Sequence, residues 1–428
     1  MIAVAILLLL FAMLGFGAPV GFAMLVSGTI GLYWIGDWDA LLAVLSSTPR
    51  SSASVFEFLT IPMFLLMAEF VLRSGIADDL FDTAAAWFGR VRGGLGIATA
   101  LAGAGFGAVC GSSTASAATL SATSMPAMLR QGYKVDMAAG VVAISGTLAM
   151  LIPPSVAMVI YGLLADVSIA KMLIAGVIPG IIVSLAIALT VYFLAWQDPA
   201  RAPLAPPVPL REKIALLRKV GPMLLLMIAV TGSIYTGIAT PTEASALGAL
   251  VAAILYFWRG RRSAAEVYAV LARSARNACM IGVIILGAQI FSTFFALTDT
   301  TQSIVAWVAS LDVPTMAVIL GLVVVYLILG CFMDQMAILV LTVPVVVPLL
   351  TALHVDLIWF GVIKIVTAEI GMVTPPLGLN CYVVAKYSKT PVATVFRGIV
   401  PHFVAHLIVI AIFLAFPSLV LWLPNNVK

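Results

Sequence analysis

Apolar positions in this chain form long uninterrupted runs, and most of the lysines and arginines lie in the short turns between them. A run of about 20 apolar residues is long enough for a helix to cross a bilayer. The pattern therefore predicts an all-α polytopic membrane protein. The predicted spans are 2–18, 20–36, 53–72, 137–163, 172–196, 221–239, 241–258, 277–297, 357–384 and 399–423.

Two further apolar segments, 93–129 and 313–353, are interrupted at their centres. The first has no charged residue but reads GSSTAS at 111–116, and the second carries Asp334 as its single charge. Irregular backbone at membrane depth is tolerated only where protein or a wet cavity surrounds it. We therefore predict two re-entrant helical hairpins, each followed by a span that breaks at a Pro-Pro pair.

The chain also repeats itself at an offset of 222 residues. At this offset five prolines of the first half fall on prolines of the second, and Ser112 falls on Asp334. With 23 prolines in the chain, less than about one such match is expected by chance, so a duplication is indicated. The predicted division is a first repeat at 1–198, a Pro-rich basic cytoplasmic linker at 199–220 and a second repeat at 221–428. The matched pairs are Pro19 with Pro241, Pro126 with Pro348, Pro153 with Pro375, Pro154 with Pro376 and Pro179 with Pro401.

The basic residues predict how the two repeats are oriented, because cytoplasmic loops collect Lys and Arg. With both termini in the periplasm, nearly all the basic turns, Arg261 among them, fall inside, whereas Arg50, Lys171 and Lys428 fall outside. Each repeat then makes an odd number of crossings, so the repeats are predicted to be inverted. Inverted repeats with broken helices near the midplane are typical of secondary transporters.

Composition excludes a soluble protein: 63% of the residues are hydrophobic and 9% are charged. The apolar start lacks a basic segment and a cleavage site, so we expect it to be a retained first helix. The four cysteines show no metal-type spacing, and His402 and His406 have no third ligand nearby, so no transition metal is expected. An intramembrane hydrolase using Ser112 or Ser113 with one of these histidines would need a general base near the serines, and none lies near them in sequence.

The first candidate site combines the tip 111–116 with the break 150–155. A Pro-Pro pair frees backbone carbonyls, and carbonyls together with hydroxyls coordinate hard cations. The N-termini of half-helices can hold a substrate carboxylate. Close packing of small residues between helices is the alternative interpretation.

The second candidate site combines 333–335 with 371–380. An ionised carboxylate at membrane depth indicates function, so Asp334 is the strongest single candidate for binding a cation. Thr374 and Asn380 add a hydroxyl and an amide. Lys364 and Glu369 lie in the same span, where they form either a structural ion pair or part of an ion-coupling device.

Four segments carry a family resemblance: GSSTASAATLSATSMPAML, GTLAMLIPPSVAMVIYG, GCFMDQMAILVLTVPVVVPLL and AEIGMVTPPLGLNCYVV. In this order they resemble the large membrane subunit of TRAP transporters, a branch of the ion transporter superfamily. The resemblance implies an elevator-type, sodium-driven importer of organic acids in the bacterial inner membrane. It also implies a small four-helix membrane subunit, expected as a separate protein, and a periplasmic substrate-binding protein.

In that family the tips and the proline breaks hold sodium and substrate, and a core formed here by 93–163 and 313–384 would move against the other helices. Lys364 departs from the family pattern, in which an apolar residue is usual. A standalone sodium/carboxylate symporter without a binding protein is the alternative function. The implied sodium-binding residues are Gly111, Ser112, Ser113, Thr114, Met150, Pro153, Met333, Asp334, Gly371, Thr374 and Pro375. The implied substrate-binding residues are Ser113, Ser116, Pro154, Ser155, Gln335, Pro376 and Asn380.

Overall fold

The structure is a computed structural model that describes residues 2–260 and 262–427, so the predicted locations of Arg261 and Lys428 lie outside it. The described residues form helices and turns and contain no strand. Eight of these helices are long and apolar enough to cross a membrane, or up to nine if a bent pair is one span. The predicted all-α polytopic class is confirmed.

The first half of the chain contains ten α-helices. They are α1 (Ile2–Gly15), α2 (Val20–Ala53), α3 (Thr60–Leu72), α4 (Ile76–Phe88), α5 (Gly94–Cys110), α6 (Ser113–Arg130), α7 (Val135–Thr147), α8 (Val156–Leu164), α9 (Ile169–Ala175) and α10 (Val177–Gln197). Short 3₁₀ turns at Phe56–Leu59 and Leu148–Met150 precede α3 and follow α7.

The second half of the chain contains eleven α-helices. They are α11 (Leu210–Met227), α12 (Ser233–Tyr235), α13 (Pro241–Trp258), α14 (Ala264–Leu297), α15 (Thr300–Ser310), α16 (Thr315–Phe332), α17 (Gln335–Ala352), α18 (Leu357–Gly371), α19 (Leu379–Ser388), α20 (Val392–Ala415) and α21 (Ser418–Asn426). A π turn at Ile228–Gly232 links α11 to α12.

Several helices extend beyond the predicted spans, because hydropathy marks the apolar part of a helix and not its ends. Helix α14 begins thirteen residues before the predicted start at 277, where Ser263 and Glu266 form a capping box. The predicted linker 199–220 is helical from Leu210 onwards. The short helix α4 was missed, because its three aspartates interrupt the apolar pattern.

The two interrupted segments are helical hairpins, and both Pro-Pro spans are broken. Helices α5 and α6 meet at Gly111 and Ser112, and α16 and α17 meet at Met333 and Asp334. Shifted by 222 residues, the bounds of α6 coincide with those of α17. The opposite orientation of the two repeats in the membrane, and the domain division, stay predictions.

Charged groups tie the start of α7 to the segment that follows α10. Lys134 donates a hydrogen bond of 2.8 Å to Asp198, and Arg201 lies 3.6 Å from the same carboxylate. The hydrogen bond from Lys134 holds the pKa of the Asp198 carboxyl below its usual range. These contacts hold the segment that follows α10 against the start of α7.

Helices α7 and α20 cross at two facing glycines, Gly140 and Gly398. A methyl group at Gly398 would lie 1.9 Å from the carbonyl oxygen of Asp136, well inside van der Waals contact. No side chain larger than hydrogen therefore fits without moving one helix away from the other.

We expect Gly398→Ala to destabilise the protein by about 1–3 kcal/mol, the usual cost of overpacking a close contact. The measurement is the melting temperature of the detergent-solubilised subunit. Gly321→Ala is the matched control, because a methyl group on this α16 glycine meets nothing within 4 Å. Equal melting temperatures for Gly398→Ala and wild type would contradict the packing described here.

Candidate functional site

The first hairpin tip packs against the first helix break. Ser112 caps α6 by accepting a hydrogen bond from the backbone N–H of Ala115. Gly111 has φ +61°, and a Cβ there would lie 2.9 Å from the side chain of Val156, the first residue of α8. Ser155 caps α8 and donates a hydrogen bond of 2.5 Å to the carbonyl of Met150. The structure therefore brings 111–116 and 150–155 together, and it uses the Ser155 hydroxyl for local bonds.

The second tip packs against the second break in the same way. Asp334 caps α17, accepting a hydrogen bond of 2.8 Å from the N–H of Ala337. A Cβ on Gly330 would lie 2.8 Å from the Cα of Gly371. The backbones of α16 and α18 are therefore in contact just before the second tip and the second break. Thr374 donates its hydroxyl to the carbonyl of Ile370 at 2.7 Å. Asp334 and Ser112 thus perform the same capping task at equivalent positions.

Tips and breaks leave backbone carbonyls without backbone partners. Within the described residues, no backbone hydrogen bond outside the helices is formed to the carbonyl of Gly111, Pro153, Met333 or Pro375. Gly111 and Pro153 are buried, where backbone oxygens are rarely left unpaired, whereas Met333 is partly buried and Pro375 is exposed. These oxygens, together with nearby hydroxyls and the Asp334 carboxylate, fit the coordination chemistry of an alkali cation.

One hydrogen bond joins the two halves of the site. The side-chain amide of Asn380, at the start of α19, donates to the hydroxyl of Ser113 on the first tip at 2.6 Å. Both side chains are buried. The sequence pairs each tip with the break of its own repeat, so this contact between repeats was not predicted.

Several buried polar atoms on the helices next to the tips and breaks have no hydrogen-bond partner among the described residues. Leaving such a group unsatisfied costs about 1–3 kcal/mol, more for a charge. A bound ion or substrate that supplied partners would recover this cost. These atoms belong to Ser116, Gln335, Lys364, Glu369 and Asn380, whose side-chain oxygen is the unpaired atom.

Glu369, on α18, has both carboxylate oxygens among these atoms. Its side chain is buried, and no hydrogen bond or ion pair reaches its carboxylate among the described residues. The sequence left two roles open for Glu369 and Lys364, a structural ion pair or part of an ion-coupling device. Among the described residues the two side chains form no ion pair within 4.0 Å.

The two ends of the site differ in exposure. Residues 150–155 are mostly buried, whereas Pro375, Pro376 and Leu377 are exposed, Leu377 to 42%. Asp334 is also exposed at the surface of the isolated subunit. A cavity of about 560 Å³ lies elsewhere, between residues 55–57, 162–170 and 240–242, away from both tips. The second break is therefore the more exposed of the two in this subunit.

The two histidines of α20 are buried, and His406 Nδ1 lies 2.9 Å from the carbonyl oxygen of His402. Within residues 2–260 and 262–427, no group of three or more His, Cys, Asp or Glu side chains could hold a metal ion.

Comparison with known proteins identifies the family of this chain. Residues 7–419 match the family described as "Tripartite ATP-independent periplasmic transporter, DctM component". This chain belongs to the DctM family. The resemblance seen in the four sequence segments is confirmed.

Relatives of this DctM chain include the C4-dicarboxylate TRAP transporter large permease protein DctM of Pseudomonas aeruginosa. The two are 37% identical over 86% of each chain. The sialic acid TRAP transporter permease protein SiaT of Haemophilus influenzae is 28% identical over 96% of this chain and 66% of its own length.

The fold of this DctM chain is shared by the YdaH transporter of Alcanivorax borkumensis. The TM-score is 0.68, with 16% sequence identity, over 93% of this chain and 96% of that one. Membership of the DctM family makes the chain a TRAP transporter large permease, a multi-pass inner membrane protein and not an enzyme.

Proposed function

We propose that this large permease subunit imports an organic acid anion, such as a C4-dicarboxylate or a sugar acid, by sodium symport. The observation that carries the proposal is the set of unpaired carbonyls and buried polar side chains where the two tips meet the two breaks. The named substrates of the relatives, C4-dicarboxylate and sialic acid, are organic acids.

Sodium ions are proposed to bind at both tip and break pairs, where they complete the coordination of the unpaired oxygens. The first ion would be held by Gly111, Ser112, Ser113, Thr114, Met150 and Pro153, and the second by Met333, Asp334, Gly371, Thr374 and Pro375. The substrate would lie between them, against Ser113, Ser116, Pro154, Ser155, Gln335, Pro376 and Asn380.

Coupling follows if substrate binds well only when sodium has organised the broken backbone. A ligand shifts an equilibrium only by its differential affinity for the two states. The Ser113–Asn380 hydrogen bond joins the first tip to the helix that follows the second break, so we expect order at one tip and break pair to affect the other. Hairpins and broken spans, residues 93–163 and 313–384, would then slide as one core against the remaining helices.

Two partner proteins complete the proposed transporter: a small four-helix membrane subunit and a periplasmic substrate-binding protein. The family description names a tripartite periplasmic system. SiaT is longer than the part this chain matches, which leaves room there for a further segment. The distribution of basic residues supports periplasmic termini.

The test is reconstitution of the subunit in proteoliposomes with its small subunit and binding protein. We expect accumulation of a labelled organic acid to require an inward sodium gradient and the binding protein together. Uptake that is unchanged when choline replaces sodium would overturn sodium coupling. Sodium-dependent uptake by the large subunit alone would instead favour the standalone symporter.

A further inference from the structure

An apolar groove of about 340 Å³ lies between α4, α5 and α11, and no residue of the tips or breaks lines it. Its walls include Trp87 and Phe88 of α4, Leu101 of α5 and Leu217 of α11. Trp87, Phe88 and Leu217 are 40%, 40% and 46% exposed, so the groove is open to the surroundings of the protein. We call it the α4–α11 groove.

The lining of the α4–α11 groove offers no free side-chain polar group among the described residues. Its two polar groups are the hydroxyl of Thr83 and the indole N–H of Trp87. The hydroxyl lies 2.7 Å from the carbonyl oxygen of Asp79 and 3.1 Å from that of Leu216, and the indole donates to the carbonyl of Lys213 at 3.4 Å. Burying a polar ligand group without a partner is unfavourable, so a ligand that fills the groove must present an apolar chain.

The groove extends along α5 from the predicted cytoplasmic surface into the membrane. Arg90 and Arg92 in the turn before α5 indicate that this end is cytoplasmic. Phe88 lies at the same end, because a Cβ on Gly94, the first residue of α5, would be 2.1 Å from the Phe88 carbonyl oxygen. Leu101 lies seven residues further, about 10 Å along the helix axis. The groove therefore begins at headgroup depth and ends among the acyl chains.

The mouth of the α4–α11 groove is basic. Lys213 lies one turn before Leu217 on the same face of α11, and its Nζ is 5.7 Å from the centroid of the Trp87 ring. Segments 89–93 and 210–220 carry six basic residues and a single acidic one, Glu212. None of the six forms an ion pair within 4.0 Å among the described residues. They are Arg90, Arg92, Arg211, Lys213, Arg218 and Lys219.

The aspartates of α4 do not reverse this charge. All three lie in the first half of α4, and Asp79 is paired with Arg259 at 2.5 Å, whereas Trp87 and Phe88 lie in its last turn. A ligand with an apolar chain and a negatively charged head therefore fits the groove and its mouth. Anionic phospholipids have both parts, and basic clusters beside membrane helices attract them.

We propose that the α4–α11 groove is a binding site for an anionic phospholipid. One acyl chain lies in the groove against Trp87, Leu101 and Leu217, and the phosphate lies at Lys213 and the neighbouring basic residues. The bound lipid contacts the first hairpin through α5 and the start of the second half through α11, so it holds these two parts of the chain together. This site is separate from the proposed sodium and substrate sites and does not depend on them.

The test is photolabelling of the full-length subunit in phosphatidylcholine nanodiscs. The nanodiscs contain a small fraction of phosphatidylglycerol or of phosphatidylcholine that carries a photoreactive group on its acyl chain. Mass spectrometry then quantifies the labelled peptides. We expect the label on peptides from 80–102 and 210–220, with phosphatidylglycerol preferred more than about tenfold, because two nearby basic residues contribute about fivefold each.

Two variants separate the head from the chain. Lys213→Gln/Arg218→Gln removes two charges at the mouth, and the two lipids should then label the groove about equally. Lys386→Gln/Lys389→Gln is the matched control, because it removes two exposed charges at the end of α19, outside the groove, and should keep the wild-type preference. Ala84→Phe places a ring in the groove and should reduce labelling there by both lipids.

The wild-type comparison decides the proposal even if a variant does not fold. Equal labelling by the two lipids, or label only outside the groove peptides, overturns it. Loss of the label in excess glycerol 3-phosphate would show that a free phosphate compound binds instead, and loss on adding the small subunit would show that a partner helix occupies the groove. A folded Lys213→Gln/Arg218→Gln variant that keeps the full preference also overturns the assignment.

Discussion

Replacing Asp334 by asparagine is expected to reduce sodium-dependent uptake by about 100-fold. The carboxylate caps α17 at the second tip and is the charged oxygen donor of the proposed second ion site. An amide keeps the size and one oxygen but removes the charge. Loss of about 3 kcal/mol of interaction with a charged partner corresponds to two factors of ten in binding.

The same substitution should leave the stability of the subunit nearly unchanged. Asparagine and aspartate are about equally good at helix N-caps, so the hydrogen bond to the N–H of Ala337 can be kept. Uptake in proteoliposomes and melting temperature in detergent, measured on the same preparation, separate the loss of function from a loss of folding.

Asp356→Asn is the matched control. Asp356 caps α18 by accepting a hydrogen bond of 2.9 Å from the N–H of Trp359, at the opposite end of that helix from the break. This variant makes the same chemical change at a cap of the same type. We expect its uptake to stay within about twofold of wild type, which corresponds to a change in binding free energy below about 1 kcal/mol. Asp334→Asn with wild-type uptake would remove this carboxylate from the mechanism.

The fold was largely predictable because a membrane imposes strong rules on sequence. Every backbone polar group in hydrocarbon must be satisfied internally, so long apolar runs become helices and interruptions become tips or breaks. The proline pairs and the polar centre of 93–129 therefore located both hairpins and both breaks. Helix ends outside the apolar zone obey capping chemistry instead, which is why α14 and α11 begin where hydropathy gives no signal.

The candidate site was predictable only within each half. Equivalent positions such as Ser112 and Asp334 follow from the repeat, and local caps follow from residue type. The contact between Ser113 and Asn380, which are 267 residues apart in the chain, depends on how the two halves pack. No periodicity in the sequence encodes that packing, so the hydrogen bond between Asn380 and Ser113 had to come from the structure.

Removing the hydrogen bond between the halves, by Asn380→Ala, is expected to lower sodium-dependent uptake by about five- to 150-fold. The amide donates to Ser113 at 2.6 Å in a buried setting, so the substitution leaves the serine hydroxyl without its partner. That costs about 1–3 kcal/mol, or roughly five- to 150-fold in an equilibrium. The lost hydrogen bond supports the arrangement of tip and break that sodium is proposed to organise. Initial rates of uptake as a function of sodium should show a higher half-saturating concentration.

Thr60→Val provides the control for losing a buried hydrogen bond as such. Thr60 and Thr242 share a buried hydrogen bond of 2.8 Å between α3 and α13, outside the tips and breaks. This variant should be destabilised to a similar degree but keep the sodium dependence of wild type.

In a double-mutant cycle, the effects of Ser113→Ala and Asn380→Ala on uptake should be strongly non-additive, because each substitution removes the same hydrogen bond. Additive effects of the two substitutions, or an equal shift in sodium dependence for Thr60→Val, would show that the bond between the repeats carries no coupling.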